Sequence, residues 1–475
     1  MQVSSDLPTG SANKNPGSPA ARLLKTPRAQ VGLVLILALA LRLAHVLIAD
    51  PWPPIRGGDY FWYAEYGSTL VRTGWTFGPP PTGPLFLLVA GYAEQLHPSD
   101  YAGTQPAWLL RRMIAGETVF PNAVGSGRQA VRLLHALLGT LTVLMVYRAG
   151  RAAWNHRAGL IAAAALAVGP AFVIESGNLT TETISIFLMT WALALWLERS
   201  AAPDRRLMAA CGALIGLAAM TRSVFLAFPL VLVLHLLIRW GWRRALSDGA
   251  VLLAAFFLMF APWTLYYAVR WNRFALAGEG LLGTLYVGAV GWQGPAEVDA
   301  TLDYQPGGAD PEADYAARQE AFAQGIAQVI LSDPLGYLAR RLGELASALL
   351  QPHNTVYYPG ESIRDLAARW LREDRTVGGL LALTGADAFW PKLLLYAFHY
   401  AALILGAVGL ARGLRRWRDL WPLYAALLYF LGVHTLLSAI PRYLFPAEPL
   451  WWLFAGAAVD RLWAWREKRV LRAAF

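Results

Sequence analysis

Charged residues are scarce in this sequence, and their scarcity excludes a large class of proteins. Aspartate, glutamate, lysine and arginine together make up 15% of the 475 residues, whereas hydrophobic residues make up 56%. An ordinary soluble domain has about 25% charged and about 45–50% apolar residues. The composition therefore excludes a soluble globular protein and indicates an integral membrane protein.

Cysteine is almost absent. The single Cys211 excludes an internal disulfide bond and makes a cysteine metal site unsupported. The histidines of the apolar runs are not spaced three or four residues apart, so we expect them to serve helix packing or hydrogen bonding: His45, His135, His235, His399 and His434. The residues indicate no metal site, and they leave open whether a divalent ion takes part in a reaction.

Basic residues outnumber acidic ones by ten, but their placement does not indicate a nucleic-acid partner. Most arginines lie in short segments between apolar runs, and this distribution reports the orientation of helices in a lipid bilayer. Lys25 and Arg28 precede the first apolar run and place the N-terminus in the cytoplasm. We predict an all-α polytopic protein of the plasma membrane (in bacteria the inner membrane) with about ten transmembrane helices and both termini cytoplasmic.

The order of apolar and polar stretches predicts five parts. These are a disordered cytoplasmic tail over 1–30, a transmembrane module over 31–269 that includes a long external loop over 50–127, a mostly helical external region over 270–390, C-terminal transmembrane helices over 391–464, and a basic cytoplasmic tail over 465–475.

Several local features carry more specific expectations. In the external loop, Pro84 to Gln95 and Ala107 to Ile114 are predicted to be helices lying in the membrane interface, with a transmembrane hairpin as the alternative. Leu160 to Ile174 is predicted to be one span, and Pro262 is predicted to interrupt another. The external helix should break at Asp333-Pro334, because the residue before proline disfavours helix.

This topology brings polar residues from distant parts of the chain to the outer face. They are Asp59 after Gly57-Gly58, Glu175, Glu182, Arg128, Arg132, Arg222, Arg442 and Tyr443. Each has an ordinary explanation, since arginines at helix ends reach toward lipid headgroups and a glutamate can stabilise a helix N-terminus. Together, carboxylates and arginines at one face suit a site that binds an anionic headgroup and activates a nucleophile.

A series of short motifs gives the chain a family resemblance. The motifs are Asp59 with Tyr63-Ala64 and Leu70 before Gly74, Arg132-Leu133 through Gly139 to Tyr147 and Gly150-Arg151, Ser176-Gly177 with Thr181-Glu182, Gly216-Leu217 with Thr221-Arg222, Pro262-Trp263, and Arg442-Tyr443 with Pro446. Their order resembles the GT-C membrane glycosyltransferases, in particular the group of protein O-mannosyltransferases and lipid A aminoarabinose transferases (glycosyltransferase family 39). Tyr60 departs from the usual Asp-Glu pair, which puts a second carboxylate or metal role at that position in doubt.

The resemblance implies a polyprenyl-phosphate sugar donor, an acceptor that is a glycan, lipid or protein, and Asp59 as the catalytic residue. The leaving group is already a phosphate anion, so one base suffices for an inverting transfer at the outer face. Arg222, Arg442 and Arg132, together with Tyr443, are expected to bind the donor phosphate, because guanidinium groups pair bidentately with phosphate oxygens. Glu182 and Glu175 are expected to support the site.

The sequence is also compatible with other classes of protein. A lipid flippase or transporter should carry ionisable residues near the bilayer midplane. Only Arg42 and the span histidines are candidates here, and we expect Arg42 to reach a neighbouring carbonyl. A lipid-linked polysaccharide ligase and a non-catalytic lipid-binding scaffold are further alternatives.

Overall fold

The computed structural model describes residues 26–48, 59–76, 78–80, 82–96, 127–199, 201–278, 280–290 and 311–473. Within these ranges the chain is helical and forms no strand. The first ten helices are α1 (Pro27–Ile48), α2 (Asp59–Thr73), α3 (Pro84–Leu96), α4 (Gly127–Ala153), α5 (His156–Val168), α6 (Pro170–Glu175), α7 (Glu182–Arg199), α8 (Arg205–Thr221), α9 (Pro229–Trp240) and α10 (Trp242–Trp271). The others are α11 (Leu281–Val290), α12 (Pro311–Ser332), α13 (Pro334–Leu350), α14 (Ile363–Glu373), α15 (Val377–Ala382), α16 (Phe389–Gly413), α17 (Trp417–Leu436), α18 (Pro441–Leu444) and α19 (Glu448–Ala473).

Five helical segments of the described chain are long and apolar enough to cross a membrane. They are Pro27–Ile48, Gly127–Ala153, Ser223–Trp240, Trp242–Trp271 and Phe389–Leu436, the last of which contains both α16 and α17. Helices α5 and α8 are shorter, with 13 and 17 residues, than the ~20 residues that span a bilayer core. The all-α membrane architecture is thus confirmed, while the number of about ten spans stays a prediction.

Glycines allow the helices of the bundle to approach closely. A Cβ atom added to Gly150 of α4 would lie 2.7 Å from the Cα atom of Gly159 in α5. One added to Gly409 of α16 would lie 2.0 Å from the carbonyl oxygen of Phe454 in α19. Small residues at such crossings are typical of membrane helices, whose association rests on close packing.

Arg42 is buried in the bundle, where it stabilises a broken helix. The predicted span 160–174 is not one continuous helix, because the chain breaks at Gly169 between α5 and α6. That it crosses the membrane stays a prediction. The Arg42 guanidinium donates to the carbonyls of Leu166 and Ala167 at the end of α5, at 3.1 and 3.2 Å. These carbonyls would otherwise have no helical partner. The expectation that Arg42 reaches neighbouring carbonyls is confirmed.

The local predictions around proline have mixed outcomes. Helix α3 begins at Pro84, as predicted, whereas 107–114 lies outside the described residues. The break before Pro334 is confirmed, and the side chain of Asp333 caps α13 by accepting from the amide of Gly336 at 2.9 Å. The predicted interruption at Pro262 is wrong, because α10 continues through it. Neighbouring helices compensate for the missing amide of a proline in such a bundle.

The described part of the region between α10 and α16 packs onto the bundle through buried polar side chains. Arg341 of α13 is 1% exposed and donates to the carbonyls of His434 and Thr435 near the end of α17, at 3.1 and 2.9 Å. His353 lies 2.8 Å from Glu175 at the end of α6. The segment after α13 is therefore fixed against the turn between α6 and α7, which forms one side of the site.

Candidate active site

Glu182 is the centre of the charged cluster. It is the first residue of α7 and is completely buried. Its carboxylate accepts hydrogen bonds from Arg442 Nε at 2.6 Å and from Arg442 Nη2 at 3.2 Å, which is a bidentate pair. It also accepts from Nη1 of Arg222. One buried carboxylate thus orients two arginines.

The two arginines reach Glu182 from different directions. Arg442 belongs to the short helix α18, which starts at Pro441, a residue whose fixed φ suits the first turn. Arg222 is the C-cap of α8, and its Nη1 also donates to the hydroxyl of Thr181 at 3.0 Å. The Arg222 guanidinium lies 5.5 Å from the centre of the Tyr443 ring. Both cations are held by several contacts and have little freedom of orientation.

Asp59 completes the cluster at its open side. It is the first residue of α2, and its Oδ2 accepts from Nη1 of Arg442. Its side chain is 50% exposed, whereas that of Arg442 is 22% exposed. Burial of Arg442 would lower its pKa, but the carboxylates of Glu182 and Asp59 raise that pKa well above the ordinary arginine value. The four charges sum to zero, and the only half-exposed carboxylate is that of Asp59.

A cavity of about 190 Å³ adjoins the cluster. The charged residues Asp59, Arg222 and Arg442 belong to its wall. The remaining lining residues are polar (Tyr63, Thr82, Thr181, Thr221, Ser223, Thr284, His434 and Tyr443) or apolar and glycine (Val224, Gly280, Leu281 and Leu437). The cavity thus joins a general-base candidate, two cations and an apolar wall.

Tyr63 lies beside Asp59 in this wall. Burial raises the pKa of the Tyr63 phenol above its ordinary value, and the neighbouring Asp59 carboxylate acts in the same direction. The phenol therefore stays protonated at neutral pH, so it can donate a hydrogen bond but does not compete with Asp59 as a base.

Three predicted site residues lie outside the cavity wall. Glu182 is one of them, but it binds both arginines of the wall. Arg132 is completely buried in α4, and its guanidinium donates to the carbonyl of Gly177 at 2.9 Å and to the side chain of Gln129 at 3.0 Å. Glu175 is also buried and accepts from Asn178 and Thr180. The expectation that Arg132 meets the other arginines is wrong, because this face of α4 packs against the turn between α6 and α7.

Contacts around Tyr60 fix the direction of α2. The sequence placed Arg128 at the outer face but did not single out Glu94, which connects it with Tyr60. Tyr60 is fully buried and donates its hydroxyl to Glu94 of α3 at 3.0 Å. Glu94 also accepts a bidentate pair from Arg128 at the start of α4, at 2.7 and 3.1 Å. The residue after Asp59 is therefore tied to two other helices. The only signal in the sequence was the tyrosine in place of the usual glutamate.

Metal ligands are not grouped in the described part of the chain. No set of three or more histidine, cysteine, aspartate or glutamate side chains lies close enough there to hold an ion. Between Asp59 and Glu182 stands the Arg442 guanidinium, which occupies the position where a cation would bridge the two carboxylates.

Comparisons with known proteins agree with this architecture. Residues 115–266 match the dolichyl-phosphate-mannose-protein mannosyltransferase family model. The resemblance to the GT-C glycosyltransferases is confirmed, and the protein has the GT-C membrane fold. No curated protein matches the sequence.

The chain is similar in fold to solved archaeal oligosaccharyltransferases. The Archaeoglobus fulgidus enzyme AglB, in complex with an inhibitory peptide and a dolichol-phosphate, matches with a TM-score of 0.50 at 18% identity, over 94% of this chain and 52% of that one. The same organism's oligosaccharyltransferase tethered to an acceptor peptide matches with a TM-score of 0.50 at 16% identity, over 96% and 51%. ArnT from Cupriavidus metallidurans also matches, with a TM-score of 0.38 at 19% identity, over 91% and 76%. The chain spans about half the length of the archaeal enzymes.

Proposed function

We propose that the protein transfers a sugar from a polyprenyl-phosphate donor to a hydroxyl group of a glycan, lipid or protein acceptor at the outer face of the membrane. The observation that carries this proposal is the cavity where Asp59, Arg222 and Arg442 meet. The family match over 115–266 supports a lipid-phosphate sugar donor, and the dolichol-phosphate bound to the archaeal fold relative supports the same class.

The arginines bind the donor phosphate. A phosphodiester carries one negative charge, and the charged cluster is neutral before it binds. Arg442 exchanges its contact with Asp59 for one with a phosphate oxygen, while Glu182 keeps both guanidinium groups in place. Planar guanidinium groups suit this role because they stay charged and form paired hydrogen bonds.

Asp59 accepts the proton during transfer. The acceptor oxygen forms a bond with the anomeric carbon, its proton passes to the Asp59 carboxylate, and the bond from the anomeric carbon to the phosphate oxygen breaks with its electron pair on the phosphate. Attack opposite the leaving group inverts the configuration. Because Asp59 becomes neutral as the leaving phosphate gains negative charge, the arginines stabilise the product side of the step.

The buried charge of Arg42 does not favour a flippase or transporter. Arg42, which was a candidate together with the span histidines, is bound to backbone carbonyls, two of them at a helix break. Its charge therefore has a structural role, whereas transporters place such residues on a substrate path.

The test is turnover of a labelled polyprenyl-phosphate sugar by purified protein, with Asp59→Asn and Asp59→Glu as variants. The asparagine variant keeps the side-chain shape but cannot accept the proton, so we expect a loss of at least about 100-fold. Asp419→Asn is the matched control, because Asp419 is also an exposed partner of an arginine but lies away from the cavity. Full activity of Asp59→Asn contradicts the base assignment, and absence of turnover by the wild type with every sugar tried contradicts the transferase.

A further inference from the structure

Two polar atoms of the cavity wall have no hydrogen-bond partner among the described residues. They are Nε2 of His434 and the hydroxyl oxygen of Thr82. His434 is 3% exposed. Burying a polar atom without a partner is costly, so such atoms in a native protein call for a specific explanation, such as a bound ligand.

The hydrogen bonding of His434 determines what its Nε2 can do. Nδ1 lies 3.2 Å from the carbonyl oxygen of Ser438, and a carbonyl oxygen can only accept. Nδ1 therefore carries the proton, and Nε2 of the neutral ring is an acceptor. A ligand that satisfies Nε2 must bring a hydrogen-bond donor.

Two neighbouring hydroxyls of the wall are also hydrogen-bond acceptors toward the cavity. Thr221 donates to the carbonyl of Leu217 at 3.0 Å, and Thr284 donates to the carbonyl of Gly280 at 2.8 Å. Their protons are engaged, so each oxygen offers only lone pairs to the cavity. Together with the Asp59 carboxylate, these groups place several acceptors in the wall, beside the donor groups of the arginines and Tyr63.

Packing holds the two atoms without a partner in position. The His434 ring stacks on Tyr443, with ring centres 5.5 Å apart and an angle of 25° between the planes. Thr82 precedes Gly83, where an added Cβ atom would lie 2.2 Å from the carbonyl oxygen of Met220. The glycine thus brings Thr82 against the end of α8, beside Arg222.

We propose that His434 and Thr82 form the subsite for the sugar hydroxyls of the donor, an inference that rests on the proposed function. The phosphodiester of the donor has no proton to offer these acceptors at neutral pH and binds the arginines instead. A sugar ring carries several hydroxyl groups, which can donate hydrogen bonds to the acceptors in the cavity wall. His434 Nε2 accepts one sugar hydroxyl, and the Thr82 hydroxyl exchanges a hydrogen bond with another.

The experiment compares the binding of bare undecaprenyl phosphate with that of undecaprenyl phosphate carrying mannose, glucose, galactose or arabinose, using the purified full-length protein. Discrimination is the ratio of the Kd for the bare lipid to the Kd for the lipid that carries a sugar. It is measured with the sugar that the wild type binds most tightly. The variants are Thr82→Val, His434→Phe and His434→Gln. Thr140→Val is the control, because that buried threonine donates to Ala136 and lies outside the cavity wall.

We expect Thr82→Val and His434→Phe each to lower the discrimination by about fivefold, as for one lost hydrogen bond, with unchanged affinity for the bare lipid. The glutamine variant should retain more discrimination than phenylalanine, since it keeps an acceptor. Thr82→Val should not lower the melting temperature, because the lost hydroxyl has no hydrogen-bond partner in the described part of the chain.

Three results overturn the inference. A wild type that binds no sugar-bearing lipid more tightly than the bare lipid has no sugar subsite. Unchanged discrimination in both Thr82→Val and His434→Phe means that the two atoms bind water only, and an equal loss for bare and sugar-bearing lipid means that they serve the phosphate or the fold. Failure of the wild type to bind even bare undecaprenyl phosphate is a distinct outcome, which overturns the proposed function itself.

Discussion

Asp59 and Arg442 lie 383 positions apart in the chain and form an ion pair in the fold. The same Arg442 guanidinium binds Glu182 through two further hydrogen bonds. One side chain therefore connects the start of α2 with the start of α7. Any movement of Arg442 toward a bound phosphate would release Asp59, so the proposed function predicts that donor binding and activation of Asp59 are linked.

Glu182→Gln should destabilise the protein and abolish transfer. The substitution removes the charge of the buried carboxylate that Arg222 and Arg442 share, and breaking a buried ion pair costs about 3–5 kcal/mol. Thermal unfolding in detergent measures this loss. Asp419→Asn removes an exposed partner of Arg239 and should cost less than about 1 kcal/mol. Equal melting temperatures for the two variants would contradict the central role of Glu182.

Arg442→Ala should weaken donor binding by at least about tenfold, because a charge-assisted bond to phosphate contributes about 1.5–3 kcal/mol. Arg132→Ala, which removes an arginine outside the cavity wall, should leave the affinity of folded protein for undecaprenyl phosphate unchanged. Titration of the labelled lipid measures both. A larger loss of affinity for Arg132→Ala would reverse the assignment of the phosphate ligands.

Tyr60→Phe should lower kcat with little change in KM for the donor. The variant keeps the buried ring but loses the hydrogen bond to Glu94, so α2 holds Asp59 less firmly while the arginines stay in place. We expect a loss of about threefold to tenfold, as for one hydrogen bond. The pH profile should keep its shape, since the base is unchanged. An altered profile, or a rise in KM alone, would argue against a positioning role.

The orientation of the protein predicts a specific labelling pattern. Cys211 is buried, so Cys211→Ser provides a background without cysteine. We propose that the region over 270–390 faces outward. In spheroplasts, Glu361→Cys should then react with a membrane-impermeant maleimide, and Arg412→Cys should react only after permeabilisation. The reverse pattern would place the site on the cytoplasmic side.

The sequence predicts which chain segments meet at the site, because alternating spans decide on which side each polar turn lies. It does not predict the rotation of each helix. Arg132 and Arg222 both stand near the ends of apolar runs, yet Arg132 faces the turn between α6 and α7, whereas Arg222 reaches the cavity.

The sequence also does not predict the side-chain hydrogen-bond networks around the site. The link from Tyr60 through Glu94 to Arg128 depends on how α2, α3 and α4 cross, and no local pattern determines that angle. The sequence also does not predict that Nε2 of His434 lacks a hydrogen-bond partner among the described residues, because a histidine in an apolar run usually serves packing. These features follow from tertiary contacts alone.

An experimental structure with bound undecaprenyl phosphate tests the central claim most directly. The account predicts phosphate density within hydrogen-bonding distance of Arg222 and Arg442, with Asp59 released from Arg442 and facing the same cavity. Phosphate bound away from both arginines, with the ion pair between Asp59 and Arg442 intact, would contradict it.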